Sequence, residues 1–321
     1  MPRRSLTLQT LHYLARPHRG RPAQDVTGPA AWTAKTVGDY EVRLDDDARQ
    51  ALLQGRVDAL PTAAWREELA RGRGFLLVRG LPEMTLDAYE AFFWKLGGAL
   101  GVPGAQNDAG DLLGHVKDEG FDHQRDVRAY RTRTRINFHC DAADVVGLLC
   151  VSQGASGGGS RLVSSVTLHN EVLRQRPDLA PLLFQPFCLD TKSEGGLRWF
   201  PVPPCRFDGG PTAERGLSTF WHADYFRSVE RHPDAPRLSE PQTELLELMD
   251  RLAEEHCIEM HLQPGDIQLV NNHTILHGRG AFSDGDSQRH LLRLWLSLEE
   301  RSAPLEWLQT AARVAWHRLQ Q

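Results

Sequence analysis

The stretch INFHCDAADVVGLLC, residues 136–150, constrains this chain more than any other. Its second half is an uninterrupted apolar run of the kind that becomes a buried strand. Its first half puts Asn137, His139 and Asp141 at alternate positions, and side chains of a strand alternate faces. Those three then share one face, with Ile136, Phe138 and Cys140 on the other. A carboxylate drawn into such a strand needs a partner, because an unpaired buried charge is costly. The fold must therefore bring something opposite that face, either a hydrogen-bonding neighbour or a metal ion.

The flanking segments set the fold class. AAWREELARGRG reads as a helix stopped by glycine, GFLLVRGLP as a short buried strand, and TLDAYEAFFWKLGGAL as a helix with Thr85 as N-cap. GASGGGS is a turn, after which LVSSVTLHNEVLRQRPDL passes from extended to helical. Residues 186–240 are rich in Pro, Gly and aromatics with little periodicity, the character of a binding loop or lid. PQTELLELMDRLAEEHC is an amphipathic helix leading to IEMHL, a QPGD turn and the strand IQLVNN. In RHLLRLWLSL, His290, Leu292, Leu294, Leu296 and Leu298 form one face, and Arg289, Leu291, Arg293 and Trp295 the other. Helices early and late with strands between them predict a mainly β fold with flanking helices (α+β), an antiparallel sandwich or barrel. We expect one domain over 1–321: a tail over 1–35, a core over 36–300 carrying the 186–240 insertion, and a C-terminal helix over 301–321.

Composition excludes several function classes. The net charge is −5 and no basic stripe stands out, which argues against nucleic acid as a partner. No run of about 18 apolar residues occurs, so no membrane span is expected. The five cysteines are scattered, odd in number and without a C-x-x-C pair. That pattern disfavours a disulfide framework or a structural zinc site and fits a reducing cytoplasm. The basic segment MPRRSLTLQTLHYLARPHRGRP shares its composition with transit peptides but has no apolar h-region, and reads as a loosely packed tail. Neither G-x-G-x-x-G nor a Walker loop is present, and the GGG at 157–159 reads as a turn rather than a phosphate cradle.

Three H-x-D patterns occur, and context separates them. His232–Asp234 runs through Pro233 and reads as a turn. His222–Asp224 lies in the irregular insertion, among aromatic neighbours. Only His139–Asp141 opens a strong strand. Two histidines and one carboxylate on one face of an octahedron make the facial triad of non-haem Fe(II) oxygenases, with positions left open for substrates. His277 in NNHTILHGRG, following a strand and a turn, is the best third ligand. His273 lies four before it, so a zinc hydrolase using His273/His277 is an alternative, although the glutamate of H-E-x-x-H is absent. Cys140 faces away from the ligands. Trp199, Phe200, Trp221 and Tyr225 read equally as core or as substrate-pocket residues.

The ordered set FHCD, SGGGSRLVSSVTLHN, PGDIQLVNN, LHGR and RHLLRLWL resembles the taurine/2,4-D dioxygenase-like family of Fe(II)/2-oxoglutarate-dependent oxygenases, among them the clavaminate-synthase-like members. The resemblance covers roughly residues 70–300 and implies a double-stranded β-helix (jelly roll) flanked by helices. It implies that His139, Asp141 and His277 ligate Fe(II), and that Arg289 and Thr167 bind the distal carboxylate of 2-oxoglutarate. It also implies that Arg293 lies near the other end of the cosubstrate or an anionic group of the substrate, that Asn137 lies near the substrate, and that Asn272 supports the distal-histidine loop. Arginine suits such roles because its planar fork meets a carboxylate bidentately. Asp141 stands where halogenating relatives carry a small residue, so halogenation is disfavoured. The implied activity is oxidation, chiefly hydroxylation, of an unactivated C–H in a small molecule, an amino-acid-like compound or a specialised metabolite, using O2 and converting 2-oxoglutarate to succinate and CO2. A non-catalytic jelly roll that binds a small anion or metal is the remaining alternative.

Overall fold

The computed structural model describes residues 13, 14, 16–107, 110–120, 132–192, 198–209 and 216–298. The expected C-terminal helix over 301–321 lies outside them.

Two sheets face each other. The larger runs, in spatial order, β1 (Glu41–Arg43), β2 (Phe75–Arg79), β14 (Ile267–Asn271), β6 (Val145–Ser152), β17 (His290–Ser297) and β3 (Val102–Gly104), with β4 (Leu113–Val116) also on β17. The smaller is β13 (Ile258–Met260), β8 (Ser160–Ser164), β15 (Ile275–Arg279) and β5 (Ile136–His139). All these pairs are antiparallel except β1–β2. The short pair β7 (Ser156–Gly157) and β16 (Phe282–Ser283) closes one end.

Alternation sorts the apolar residues of each strand between two cores. Phe75, Leu77, Val146, Cys150, Val270, Leu291 and Trp295 from the larger sheet meet Leu162, Ile258, Met260 and Ile275 from the smaller one. On the outer face of the larger sheet, Leu76, Val78, Leu149, Leu269, Leu292, Leu294 and Leu296 pack under α1 (Asp46–Leu53), α2 (Thr62–Arg71) and α3 (Leu86–Leu100). Thr85 caps α3, its hydroxyl accepting from the Ala88 N–H. The outer face of the smaller sheet, with Phe138, Val163 and Leu276, packs under α4 (Ser165–Gln175) and α6 (Glu240–His256).

Two expectations change. Residues 136–150 do not form one strand. Strand β5 ends at His139, residues 140–144 cross from one sheet to the other, and β6 takes the apolar run into the middle of the larger sheet. The described part of the segment read as a loose tail is packed: Tyr13, Val26 and Ala30 join the outer core, and Trp32 lies among the residues between the sheets. Its indole N–H donates to the Arg73 carbonyl, so the segment is clamped at both ends of its path.

The 186–240 insertion forms two hairpins, β9 (Phe187–Asp190) with β10 (Trp199–Val202) and β11 (Cys205–Phe207) with β12 (Leu217–Thr219), followed by α5 (Ala223–Ser228). Phe200 and Trp221 are core, whereas Tyr225 faces a cavity described below. Among the described residues, no helix is long and apolar enough to cross a membrane.

Candidate active site

Register brings the two ligand histidines together. His277 on β15 is the direct partner of His139 on β5, and their ring centroids are 4.4 Å apart. This needs glycine at 278, because a Cβ there would stand 2.8 Å from the Ile136 carbonyl oxygen. Asp141 comes from the crossing segment rather than from β5 itself. Its backbone N–H donates to Asn272 Oδ1, and Asn272 Nδ2 donates to the Ala143 carbonyl, so Asn272 fixes the turn that presents the carboxylate. Asp141 Oδ1 lies 3.7 Å from His139 Nε2 and Oδ2 3.7 Å from His277 Nε2, too far for hydrogen bonds. One donor atom from each residue lies within 4.8 Å of the others, and no other such trio occurs among the described residues.

The supporting contacts fit a metal ion. His139 Nδ1 donates to the Asn137 carbonyl at 2.9 Å, so Nε2 is the nitrogen turned to the trio. The Trp295 indole N–H donates to Asp141 Oδ2 at 2.9 Å and orients the carboxylate. Burial alone would raise the Asp141 pKa, but the neighbouring His139 and His277 imidazoles, with the charge of Arg293, hold it well below the usual carboxylate range. Burial and the charge of His139 push His277 down. For His139 burial acts the same way, but the Asp141 carboxylate outweighs it and raises the imidazole.

The trio lines a cavity of about 240 Å³ that opens between the sheets. Arg289 and Arg293 reach it from β17 and the residue before it, as the alternation requires. Arg289 is 2% exposed, and its Nε and Nη1 have no hydrogen-bond partner. Burying a guanidinium without a counter-charge is costly, so the site fits an anion at this point. Gly158, at φ +71°, makes room: a Cβ there would stand 2.8 Å from Arg289 Nε. Here the GGG turn earns its place by admitting an arginine. Arg293 Nε donates to Gln106 Oε1 at 2.7 Å, and its Cζ lies 5.1 Å from the Trp295 ring centroid.

Three assignments move. Thr167 is buried in α4, where its hydroxyl donates to the Trp32 carbonyl at 2.6 Å, and it does not line the cavity. Asn137 reaches Asp224 on α5 with its amide rather than the cavity interior; its contribution to the trio is its carbonyl. His273 is held by Asp144, Nε2 to Oδ1 2.8 Å, and stacks on Tyr13, so it does not share a site with His277 and the zinc-hydrolase arrangement is not formed.

The insertion supplies the remaining wall. Leu189, Lys192, Phe220, His222, Asp224 and Tyr225 line the cavity. The second H-x-D thus lies beside the first: the His222 ring is 4.9 Å from that of His139 and stacks on Tyr225 at 3.6 Å. Burial and the charge of His139 keep His222 well below its ordinary pKa, so it stands neutral. The third H-x-D is remote, with His232 against the buried Asp190 and Asp234 against Trp199.

The sequence profile of the taurine catabolism dioxygenase TauD, TfdA family matches residues 53–295, and the chain belongs to that family. It is an Fe(II)/2-oxoglutarate-dependent oxygenase with a jelly-roll core. Among individual proteins, it is 28% identical to FR-33289 synthase of Streptomyces rubellomurinus over 318 residues, covering 85% of this chain and 91% of that one. It is 27% identical to the taurine hydroxylase-like protein SAT17 of Stachybotrys chartarum, covering 69% and 60% respectively. In fold it is similar to an asparagine oxygenase solved with Fe(II), 3-hydroxyasparagine and succinate, with TM-score 0.63, 17% identity, and 81% and 94% of the two chains covered. The non-haem iron oxygenase OrfP, solved with Fe, succinate and 3-hydroxyarginine, gives TM-score 0.59 at 13% identity, covering 82% and 98%.

Proposed function

We propose that this oxygenase hydroxylates an aliphatic C–H of a small, amino-acid-like molecule, with His139, Asp141 and His277 holding the iron. The observation that carries this reading is the placement of the trio and the unpaired Arg289 guanidinium in one cavity of about 240 Å³. Bound Fe(II), with 2-oxoglutarate and O2, supplies an oxidant able to remove hydrogen from an unactivated carbon, while 2-oxoglutarate leaves as succinate and CO2.

The protein's own residues prepare that chemistry. Asn137 and Trp295 fix the directions of the His139 and Asp141 donors, so little reorganisation is needed on loading. Arg289 holds the distal carboxylate of 2-oxoglutarate. Leu189, Phe220 and Tyr225 give an apolar wall against the substrate chain, while Lys192 and Asp224 offer opposite charges to its polar ends. Lys192 is fixed for this task. Its backbone, at φ 53°, is the one positive-φ non-glycine among the described residues, and its ammonium lies against Ser228 and Asp190. Opposite charges on one wall favour a zwitterion, in keeping with the hydroxylated amino acids named for the asparagine oxygenase and OrfP.

The test is succinate release measured over a panel of amino acids, their N-acyl derivatives and other small zwitterions, with mass detection of a product 16 Da heavier. The reading predicts at least one compound that couples succinate release to a hydroxylated product. If turnover occurs only with purely apolar compounds, the substrate class is wrong.

A further inference from the structure

The cosubstrate end of the cavity holds two buried guanidinium groups, not one. Arg279 follows His277 by two on β15, pairs with Ser160 on β8, and turns the same way as the ligand histidine. It is 6% exposed, lines the cavity with Arg289, and shares the Phe282 ring with it: the two Cζ atoms lie 4.7 and 5.2 Å from the ring centroid. Arg279 Nη2 donates to the carbonyls of Thr132 and Thr134, at 2.7 and 2.6 Å. Its Nε and Nη1 have no partner, as in Arg289. Among the described residues no carboxylate forms an ion pair with either arginine. Two buried cations against one ring, both lining the cavity with free N–H donors, call for an anion within reach of both.

That anion is identifiable because one expected partner is missing. The hydroxyl of Thr167 is committed to the Trp32 carbonyl, outside the cavity. The geometry points to Arg279 as a second anchor for the distal carboxylate of 2-oxoglutarate, which would sit in a clamp between Arg279 and Arg289. This rests on the 2-oxoglutarate reading and goes beyond it, since it makes the cosubstrate end of this protein a two-arginine site that selects a 2-oxo acid with a second negative charge.

The experiment compares two ligands of equal length, 2-oxoglutarate and 2-oxopentanoate, which lacks the distal carboxylate. Each is titrated calorimetrically into Mn(II)-loaded protein without substrate, and metal-free thermal melts report folding. The clamp predicts that Arg279→Gln weakens 2-oxoglutarate by about 30-fold, the loss of one charge-assisted contact, and leaves 2-oxopentanoate within about twofold. Arg279→Lys, which keeps the charge but not the fork, should fall between, and serves as the measured variant if Arg279→Gln does not fold. Equal weakening of both ligands, or no change in either, overturns the clamp and leaves Arg279 a strut for the 132–134 carbonyls. If the wild type itself binds no 2-oxoglutarate, the cosubstrate reading fails and the clamp with it.

Discussion

Replacing Trp295 by phenylalanine isolates the contact that orients the candidate metal carboxylate. The substitution keeps an aromatic ring between the sheets but removes the indole N–H that donates to Asp141 Oδ2 at 2.9 Å. Trp295 is 3% exposed and Asp141's side chain 12%, so water does not readily replace the lost donor. A hydrogen bond to a charged group contributes about 1.5–3 kcal/mol. At 1.4 kcal/mol per decade this is roughly 10- to 150-fold in affinity, and loss of a partner behind a metal ligand typically costs about 10- to 100-fold. We therefore expect Trp295→Phe to weaken Mn(II) or anaerobic Fe(II) binding by about 30-fold. The smaller ring also costs packing, which urea unfolding of the metal-free protein measures separately. Calorimetric titration of wild type and variant at one pH gives the affinity ratio. If the variant binds metal within about twofold of wild type, either Asp141 is not a ligand or Trp295 does not orient it.

Thr167→Val should destabilise the fold by about 1–2 kcal/mol, by stranding the Trp32 carbonyl, while the KM for 2-oxoglutarate stays within about twofold; a large KM increase would restore Thr167 to the cosubstrate site. Gly278→Ala should cost about 1–3 kcal/mol in urea unfolding and should also weaken metal binding, because the added methyl pushes β5 from β15 where His139 and His277 pair; unchanged values on both counts would contradict that close approach. Burial raises the Asp190 pKa, but the Lys192 N–H and ammonium, Ser228 and His232 outweigh it and hold it well below the ordinary range, so its stabilisation is present above the unfolded pKa of about 3.9 and is lost as pH falls towards the folded value. Asp190→Asn should accordingly be less stable by about 3 kcal/mol at pH 7, with the gap to wild type narrowing in unfolding curves below about pH 4; a gap independent of pH would refute the assignment.

What could be read from sequence followed from period and spacing. The alternation in RHLLRLWLSL placed Arg289, Arg293 and Trp295 on the face turned to the smaller sheet, and the structure has them there. The pairing of His139 with His277 was legible only as a third-ligand requirement, since register between strands 138 residues apart leaves no local trace. The break over 140–144 is not legible, because the apolar run beyond it suits a central strand of either sheet. Nothing in the sequence marks Arg279, although it lies two residues from His277. Its meaning depends on having no partner, which only the packed structure reveals. The cosubstrate role of Thr167 rests on the family resemblance alone, yet the carbonyl of Trp32, from a segment that reads as a tail, takes its hydroxyl. Of the walls supplied by the insertion, Lys192 and His222 belong to irregular backbone and Asp224 to the six-residue helix α5, too short for a period to read.

The most direct measurement of the central claim is an anaerobic titration of the metal-free protein with Fe(II) and then 2-oxoglutarate, followed in the visible region. Wild type should develop a weak metal-to-ligand charge-transfer band that saturates at one equivalent of each, and Asp141→Ala should not. A wild-type protein that binds neither, or an Asp141→Ala variant that gives the same band, would contradict the assignment of His139, Asp141 and His277 as the iron site.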